Sequence, residues 1–588
     1  MKRKLLCLLL ASILILTTFT GCTKKVAGEN GTAKPTPAAS EERKQTLYVT
    51  GLAYEGMTGF NLMSGNSLFP TNNANNMLLY ETLFGYNSVN GELAPIVGDS
   101  YSWTDPYTLT VKINPAAAYS DGKPLTSADV VYSYYLGKKY EIPWSGSWLN
   151  LADVKAVDAT TIAFFMDKEH PNKTAVLEAI CSTPLFPKHI WEKLEAENNN
   201  DIRKLMALPN ENPVGSGPYT IKFHDDTKVI CERNDNYWGK VRHEGRLPAP
   251  KYITHLLFKS NDAANLAFKE AQLDYSQDFI PNIWKMWEGG LPIKTYLDKE
   301  PYYTADSIPS IWFNLEKPGL RDPEVRRAIA YAIDYQNIVK LAMNGYSDPV
   351  SPSLVLNTPS EQAMIDASAL KTLQWTTDLA KANEILDKLG AKPGADGIRV
   401  LPDGTRLGPW DLECPFGWSD WNASLEIIMQ NCKKVGIELR TKFPEEPVYT
   451  NDRNTGKFDI IMSTPADVIS PSQPWLRIRD LMYSKEVPAK GEQAFRNFNR
   501  YKNADADRLI EAASLTEDPA ELKKIYTELN LIWLKDVPTI PLMYRPMYFY
   551  NCNETYWTNF PTGQDGRNLP GYLFDGAGIL GLYDLKAK

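Results

Sequence analysis

Residues Tyr119–Ser133 read YSDGKPLTSADVVYS, and this stretch sets the course of the chain around it. Ser120-Asp121-Gly122-Lys123-Pro124 is a tight turn, since glycine accepts a positive φ and proline presets its own. Thr126 then stands where a helix N-cap belongs, with Asp129 three residues on, and SADVVYSYYLGKK (127–139) carries apolar residues at helical period. Ahead of the turn TLTVKI (108–113) alternates as a strand does, and beyond the helix TTIAFFM (160–166) is another strand. Strand, turn, capped helix and strand in sequence is α/β organisation.

The alternation continues in both directions. QTLYVTGLA (45–53) reads as a strand and NANNMLLYETLFG (73–85) as a helix ending at Gly85. PNKTAVLEAI (171–180) and PKHIWEKLEAEN (187–198) are helical. PEVRRAIAYAIDYQNIVKLAMNG (323–345) reads as one long helix with Pro323 in its first turn. TTDLAKANEILDKLG (376–390) is a helix, SLEIIMQNCKKVGIELRTKF (424–443) is helix, Gly436, then strand, and FDIIMS (458–463) is a short buried strand. The 588 residues suggest several domain-sized units, and 43% hydrophobic with 23% charged residues excludes disorder or coiled coil for the bulk. A net charge of −8 argues against a nucleic-acid partner.

The N-terminus reads as an address. Lys2, Arg3 and Lys4 precede an apolar run from Leu5 to Leu16, too short to span a membrane, and Phe19-Thr20-Gly21-Cys22 follows. This resembles a bacterial lipobox, which implies a signal peptide over 1–21 and lipidation at Cys22. Residues 22–45 are polar and rich in Lys, Glu, Pro, Ala and Gly, a flexible tether reaching roughly 25–30 Å. The body is then expected at the extracellular face of the cell membrane (the periplasmic side where an outer membrane exists), held by lipid. The five remaining cysteines, Cys181, Cys231, Cys414, Cys432 and Cys552, are odd in number and expected mostly as buried thiols.

Several chemistries have no residues to carry them. The five histidines are scattered, with no His-Glu-x-x-His, so no metal site is expected. There is no Gly-x-Ser-x-Gly elbow and no P-loop. Gly576-Ala577-Gly578-Ile579-Leu580-Gly581 matches Gly-x-Gly-x-x-Gly, but seven residues after it leave no room for the βαβ unit a dinucleotide needs. No catalytic residue and no cofactor is assigned.

The string at Tyr119–Ser133 resembles the hallmark segment of the family 5 extracellular solute-binding proteins of ABC importers. Further words follow in the family's order: YETLFGYNSVNGELAPIVGDSYSW, NPVGSGPYTIKFH, ERNDNYWGK, IWFNLEKPGLRDPEVRRAIAYAIDYQNIVKLAMNGY and PTIPLMYRPMYFYN. Together they cover about residues 46–560. The resemblance implies an α/β, two-lobed periplasmic-binding-protein-like clamp with an additional small domain (type II, cluster C). It implies a discontinuous domain I over 46–90, 211–310 and 540–588, an inserted small domain II over 91–210, and a second lobe, domain III, over 311–539. It also implies a monomer without enzymatic activity that hands a small-molecule solute to ABC permease subunits in the membrane.

The family members differ in solute. Peptide binders carry Trp-x-x-Asp-x-x-Asp-Pro after the FD strand, whereas this chain has Thr464-Pro465-Ala466-Asp467-Val468-Ile469-Ser470-Pro471, keeping only Asp467. DGIRVLPDGTRLGPW and the word Gly417-Trp418-Ser419-Asp420-Trp421 resemble the cellobiose- and oligosaccharide-binding members. Pyranose rings offer apolar faces rimmed by hydroxyls, which suit aromatic platforms beside polar partners. A neutral oligosaccharide is therefore the expected solute and an oligopeptide the alternative. Ligand-binding candidates are Trp418, Trp421, Asp420 and Asp467, then Tyr54, Glu55 and Asn61 after the first strand, and Trp284 and Trp287.

Overall fold

The computed structural model describes residues 40–588 apart from 54, 55, 74, 466–469, 486 and 517. Cys22, most of the tether, Tyr54, Glu55 and Asp467 therefore lie outside the described residues.

The turn at 119–125 and the capped helix take the expected form. Thr126 N and Oγ1 both donate to Asp129 Oδ2, at 2.9 and 2.8 Å, and the helix runs Ser127–Lys139. It packs on an antiparallel sheet of Gly98–Asp105, Thr108–Ile113, Thr161–Met166 and Leu151–Ala156, in that spatial order.

Two larger sheets flank the middle of the molecule. The first runs, edge to edge, through Ile293–Lys294, Asn551–Asn553, Tyr275–Ser276, Thr46–Thr50, Tyr252–Leu256, Lys228–Arg233 and Tyr219–Asp225. Thr46–Thr50 is parallel to both its neighbours, and with Leu47 and Val49 buried on one face and Thr46 and Thr50 on the other it is covered on both faces. The second comprises Leu439–Lys442, Trp410–Glu413, Ile460–Ser463, Ser310–Phe313 and Thr539–Pro541, with the first three parallel. The chain passes between these sheets before Ser310 and again after Pro541. The two passages pair with each other: Ser307 N donates to Arg545 O at 2.9 Å and Arg545 N to Ser307 O at 3.0 Å. Asp306 ties the same place together, accepting from Met547 N and from the hydroxyls of Tyr550 and Tyr572.

Three expectations change. Residues 75–83 are turns and irregular backbone leading into the strand Phe84–Tyr86, not a helix. Asn73 Oδ1 accepts from Asn75 N at 2.9 Å and Asn76 Oδ1 from Leu78 N at 3.1 Å, so asparagine side chains take the amides a helix would use. The long helix at 323–345 stops at Ala332. Ile333 is extended (ψ 133°), and Asp334 starts a new turn by accepting from Asn337 N. The end of the tether is ordered: Glu41–Gln45 is helical, and Arg43 grips the buried Asp274 with two short bonds, 2.6 and 2.8 Å.

The five cysteines at 181, 231, 414, 432 and 552 are buried and unpaired. The glycine-rich C-terminal word forms part of a 3₁₀ segment, Gly576–Tyr583. A Cβ on Gly578 would stand 1.5 Å from Tyr572 O, so glycine serves close packing there.

Glu81 is a buried carboxyl with no cation bonded to it. Burial pushes its pKa up to about 7, against the bonds donated by Tyr237 Oη and Trp238 Nε1. A folded pKa above the unfolded value means its contribution to stability is fully present below about pH 4.5 and is lost as pH rises through about 7. Urea unfolding is expected to show wild type losing up to about 3 kcal/mol over that window relative to Glu81→Gln. Equal pH slopes in the two proteins would show that Glu81 is ionised at no cost.

Candidate ligand cavity between the sheets

A cavity of about 530 Å³ lies at the carboxyl ends of parallel strands from both large sheets. From the first sheet, Gly51–Ala53 follow Thr50, and Gln277–Phe279 follow Ser276. From the second, Trp418, Asp420 and Trp421 come after the strand Trp410–Glu413, and Ser463 and Thr464 end the strand Ile460–Ser463. This is where α/β sheets bind ligands, since loops there converge without disturbing the strands.

Gly417 explains how the aromatic word reaches the cavity. Its φ is +79°, and a Cβ there would lie 2.3 Å from Lys259 O, so only glycine lets the two sheets' loops approach. Asn261 N donates to Gly417 O at 3.0 Å, and Asn261 Nδ2 to Ser419 Oγ at 3.2 Å. Trp418 then meets Trp421 edge to face, with centroids 4.9 Å apart, and Tyr449 lies beyond Trp418 at 6.4 Å.

Polar side chains stand beside the aromatic rings. Trp421, Gln277, Asn454 and Glu446 line this cavity, while their Nε1, Oε1, Nδ2 and Oε2 atoms are buried beneath its surface with no hydrogen-bond partner. Two donate and two accept. Such groups cost the folded protein free energy while they stay unpaired. Cavities of similar size elsewhere, about 590 Å³ beside Arg326 and about 530 Å³ beside Asp306, have no such atom among their described side chains. Burial also pushes the Glu446 carboxyl above its ordinary range, while the Thr450 hydroxyl and Arg453 pull it back.

The charged wall is largely self-neutralised. Arg545 Nε donates to Asp420 Oδ2 at 2.8 Å, Nη2 reaches the same oxygen at 2.8 Å, and both residues are buried. Arg453 lies over Tyr449 and Phe498 and donates to Asn454 Oδ1 at 3.0 Å. Beneath the floor His255 accepts from Leu52 N through Nε2. Burial lowers its pKa to about 3, so it holds that loop as a neutral ring.

The sequence candidates separate on this geometry. Trp418, Asp420 and Trp421 line the cavity together, although the Asp420 carboxylate is engaged by Arg545. Asn61 is a correction: its amide donates to Leu205 O and Leu208 O and its oxygen accepts from Met63 N, so it clamps backbone away from the cavity. Trp284 and Trp287 are corrections as well. They sit on the helix Trp284–Glu288 and pack on Tyr302, with centroids 6.1 and 5.3 Å away, outside the cavity lining. Sequence reading missed Gln277, Glu446, Tyr449, Arg453, Asn454 and Arg545. Gln277 had no local signal, since the strand it follows is only the two residues Tyr275–Ser276. The helix Glu446–Thr455 had none, its polar residues reading as a solvated face.

Two lobes of mixed α/β structure, joined by paired crossing segments and enclosing a polar, aromatic cavity, define a solute-binding clamp. The model of the bacterial extracellular solute-binding proteins, family 5 (Middle), matches residues 92–478, about two thirds of the chain. A mannohexaose-bound periplasmic oligopeptide-binding protein of an oligopeptide ABC transporter from Thermotoga maritima is 30% identical. It superposes with a TM-score of 0.85, over 93% of this chain and 100% of that one. The oligopeptide-binding protein AppA of Bacillus subtilis is 27% identical over 74% of this chain and 75% of its own. Its structure with a nonapeptide has the same fold at 22% identity and a TM-score of 0.74, covering 92% and 99%. The chain belongs to the family 5 extracellular solute-binding proteins, a family of binding proteins and not of enzymes. Among the described residues no helix is long and apolar enough to cross a membrane.

Proposed function

We propose that this protein captures a neutral oligosaccharide for an ABC importer, closing its two lobes around the sugar and delivering it to the permease. The lobes divide as 46–90 with 211–310 and 540–588 against 311–539, with 91–210 inserted. The observation that carries this reading is the Trp418–Trp421 pair on the cavity wall, with the polar residues Gln277, Glu446 and Asn454 lining the same cavity. Sugar hydroxyls both donate and accept, and ring faces stack on aromatics. The mannohexaose bound to the Thermotoga maritima protein supports it.

Calorimetric titration with manno-, cello- and xylo-oligosaccharides and with tri- to nonapeptides tests the reading. Binding of at least one sugar series is expected, with Asp467→Asn leaving it unchanged. A peptide solute is the second reading, favoured by the nonapeptide held in AppA. It requires tight peptide binding abolished by Asp467→Asn, because an α-ammonium buried without its counter-ion is costly. That result, with no heat from any sugar, would end the oligosaccharide reading.

The importer reading places the protein outside the cell on a lipid at Cys22. Cys22→Ala is expected to release a folded, ligand-competent protein into the medium. Retention of Cys22→Ala in salt-washed membranes would refute lipid anchoring there.

A further inference from the structure

The unit built on the four-stranded sheet (Gly98–Ala156 and onward to Met166) does more than decorate the first lobe. Its loop beyond the helix Ser127–Lys139 brings Pro143 into the cavity wall, which Phe495 of the second lobe also lines. Immediately beside these two, Arg496 Nη1 donates to Glu141 Oε1 at 3.1 Å. The Arg496 side chain is 8% exposed and that of Glu141 31%, and neither residue lines the cavity.

We propose that Glu141 and Arg496 form a latch between the four-stranded unit and the second lobe, and that this pair sets how long a captured solute is retained. The proposal rests on the reading that the cavity holds the solute. The arginine is presented rigidly. Asn497, fully buried at φ +44°, donates to Tyr483 O and Tyr501 O at 2.9 and 2.8 Å and so pins the segment to the second lobe. Phe495 packs on Gly65 of the first lobe, where a Cβ would come 3.0 Å from its ring. A second contact runs alongside: Arg479, over the Trp475 ring and paired with Asp480 at 2.7 Å, reaches Gly146 O at 3.5 Å.

The two rims of the cavity differ in kind. One is closed by the neutral bonds of Asn261 to Gly417 and Ser419. The other is closed by the charged contacts of Arg496 and Arg479 to the four-stranded unit. An ion pair that spans the cleft is made in the closed form and broken on opening, so it slows release without touching the solute. Its loss should appear in the dissociation rate and leave association into the open form unchanged. The pair is half-buried, so salt screens it less than an exposed one.

The test is stopped-flow tryptophan fluorescence of the mature chain with mannohexaose and with a nonapeptide. Glu141→Gln and Arg496→Gln are each expected to raise the dissociation rate about tenfold with the association rate within about twofold. The charge-exchanged double variant, Glu141→Arg with Arg496→Glu, is expected to recover most of the loss. Dissociation rates equal to wild type in both single variants would overturn the latch, as would a loss the exchange does not recover. Should neither probe bind wild type, those two solutes are excluded, and the latch is read from the closed fraction populated without ligand. Backbone amides at 141–149 and 495–501 then exchange hydrogen faster in each single variant and return toward wild type in the exchange. Unchanged protection in all three would overturn it.

Discussion

Trp418→Ala is expected to weaken solute binding by about 30- to 1000-fold, and Trp421→Phe by about 5- to 30-fold. The two substitutions remove different things. Trp418 is half-buried on the cavity wall, and its truncation deletes a stacking face of the size that dominates binding sites. Trp421 is 3% exposed and its ring is core, so phenylalanine removes the unpartnered Nε1–H together with about a third of the ring and leaves a cavity behind the wall. The lost packing outweighs the relief of an unpaired N–H, so Trp421→Phe should lower stability by about 1–3 kcal/mol while affinity falls. Calorimetry beside thermal unfolding reads both quantities. Unaltered affinity in Trp421→Phe would assign that indole to the core alone, and unaltered affinity in Trp418→Ala would remove the platform.

Arg545→Met is expected to cost about 3–5 kcal/mol of folding stability, because it leaves the Asp420 carboxylate buried without its counter-ion. Arg545 lies on the second crossing segment, where it also donates to Pro546 O at 2.7 Å and stacks on Phe549. Asp420 sits in the first turn of the helix Ser419–Lys434, directly beside Trp418 and Trp421. The pair thus fastens the aromatic face of the cavity to one of the two segments that cross between the large sheets. Replacing both partners, Asp420→Leu with Arg545→Met, should recover most of the stability, since an apolar pair of similar volume carries no desolvation penalty. Chemical denaturation of the three variants measures this. A single variant as stable as wild type would mean that water reaches the carboxylate.

Legibility in the sequence followed the range of the interactions involved. The turn and capped helix at 119–139 were readable because an Asp-Gly turn and a Thr-x-x-Asp box satisfy their own backbone within a few residues. The strand at 108–113 was readable because one buried face imposes strict alternation. Residues 73–85 were misread because Asn73 and Asn76 compete locally for amides, while Leu78 O and Leu79 O accept from Tyr219 N and Gly217 N across the sheet. The helix at 323–345 was overextended because its break depends on Thr377, whose hydroxyl bonds Ile333 O at 2.7 Å from 44 residues away.

The sequence by itself determined the order of elements, the family pattern running through them, and the aromatic word at 417–421 that stands in the cavity wall. Each is written in neighbouring residues, through turn chemistry, side-chain period and composition. Only the tertiary structure decided which candidates face one another. It turned Asn61, Trp284 and Trp287 away, engaged Asp420 with Arg545, and brought in Gln277, Glu446 and Asn454. It also placed Glu141 against Arg496, 355 residues apart in the chain. Those pairings depend on which strand ends meet across the cleft, and that is set by the crossing of two distant segments at Ser307 and Arg545 rather than by any local pattern.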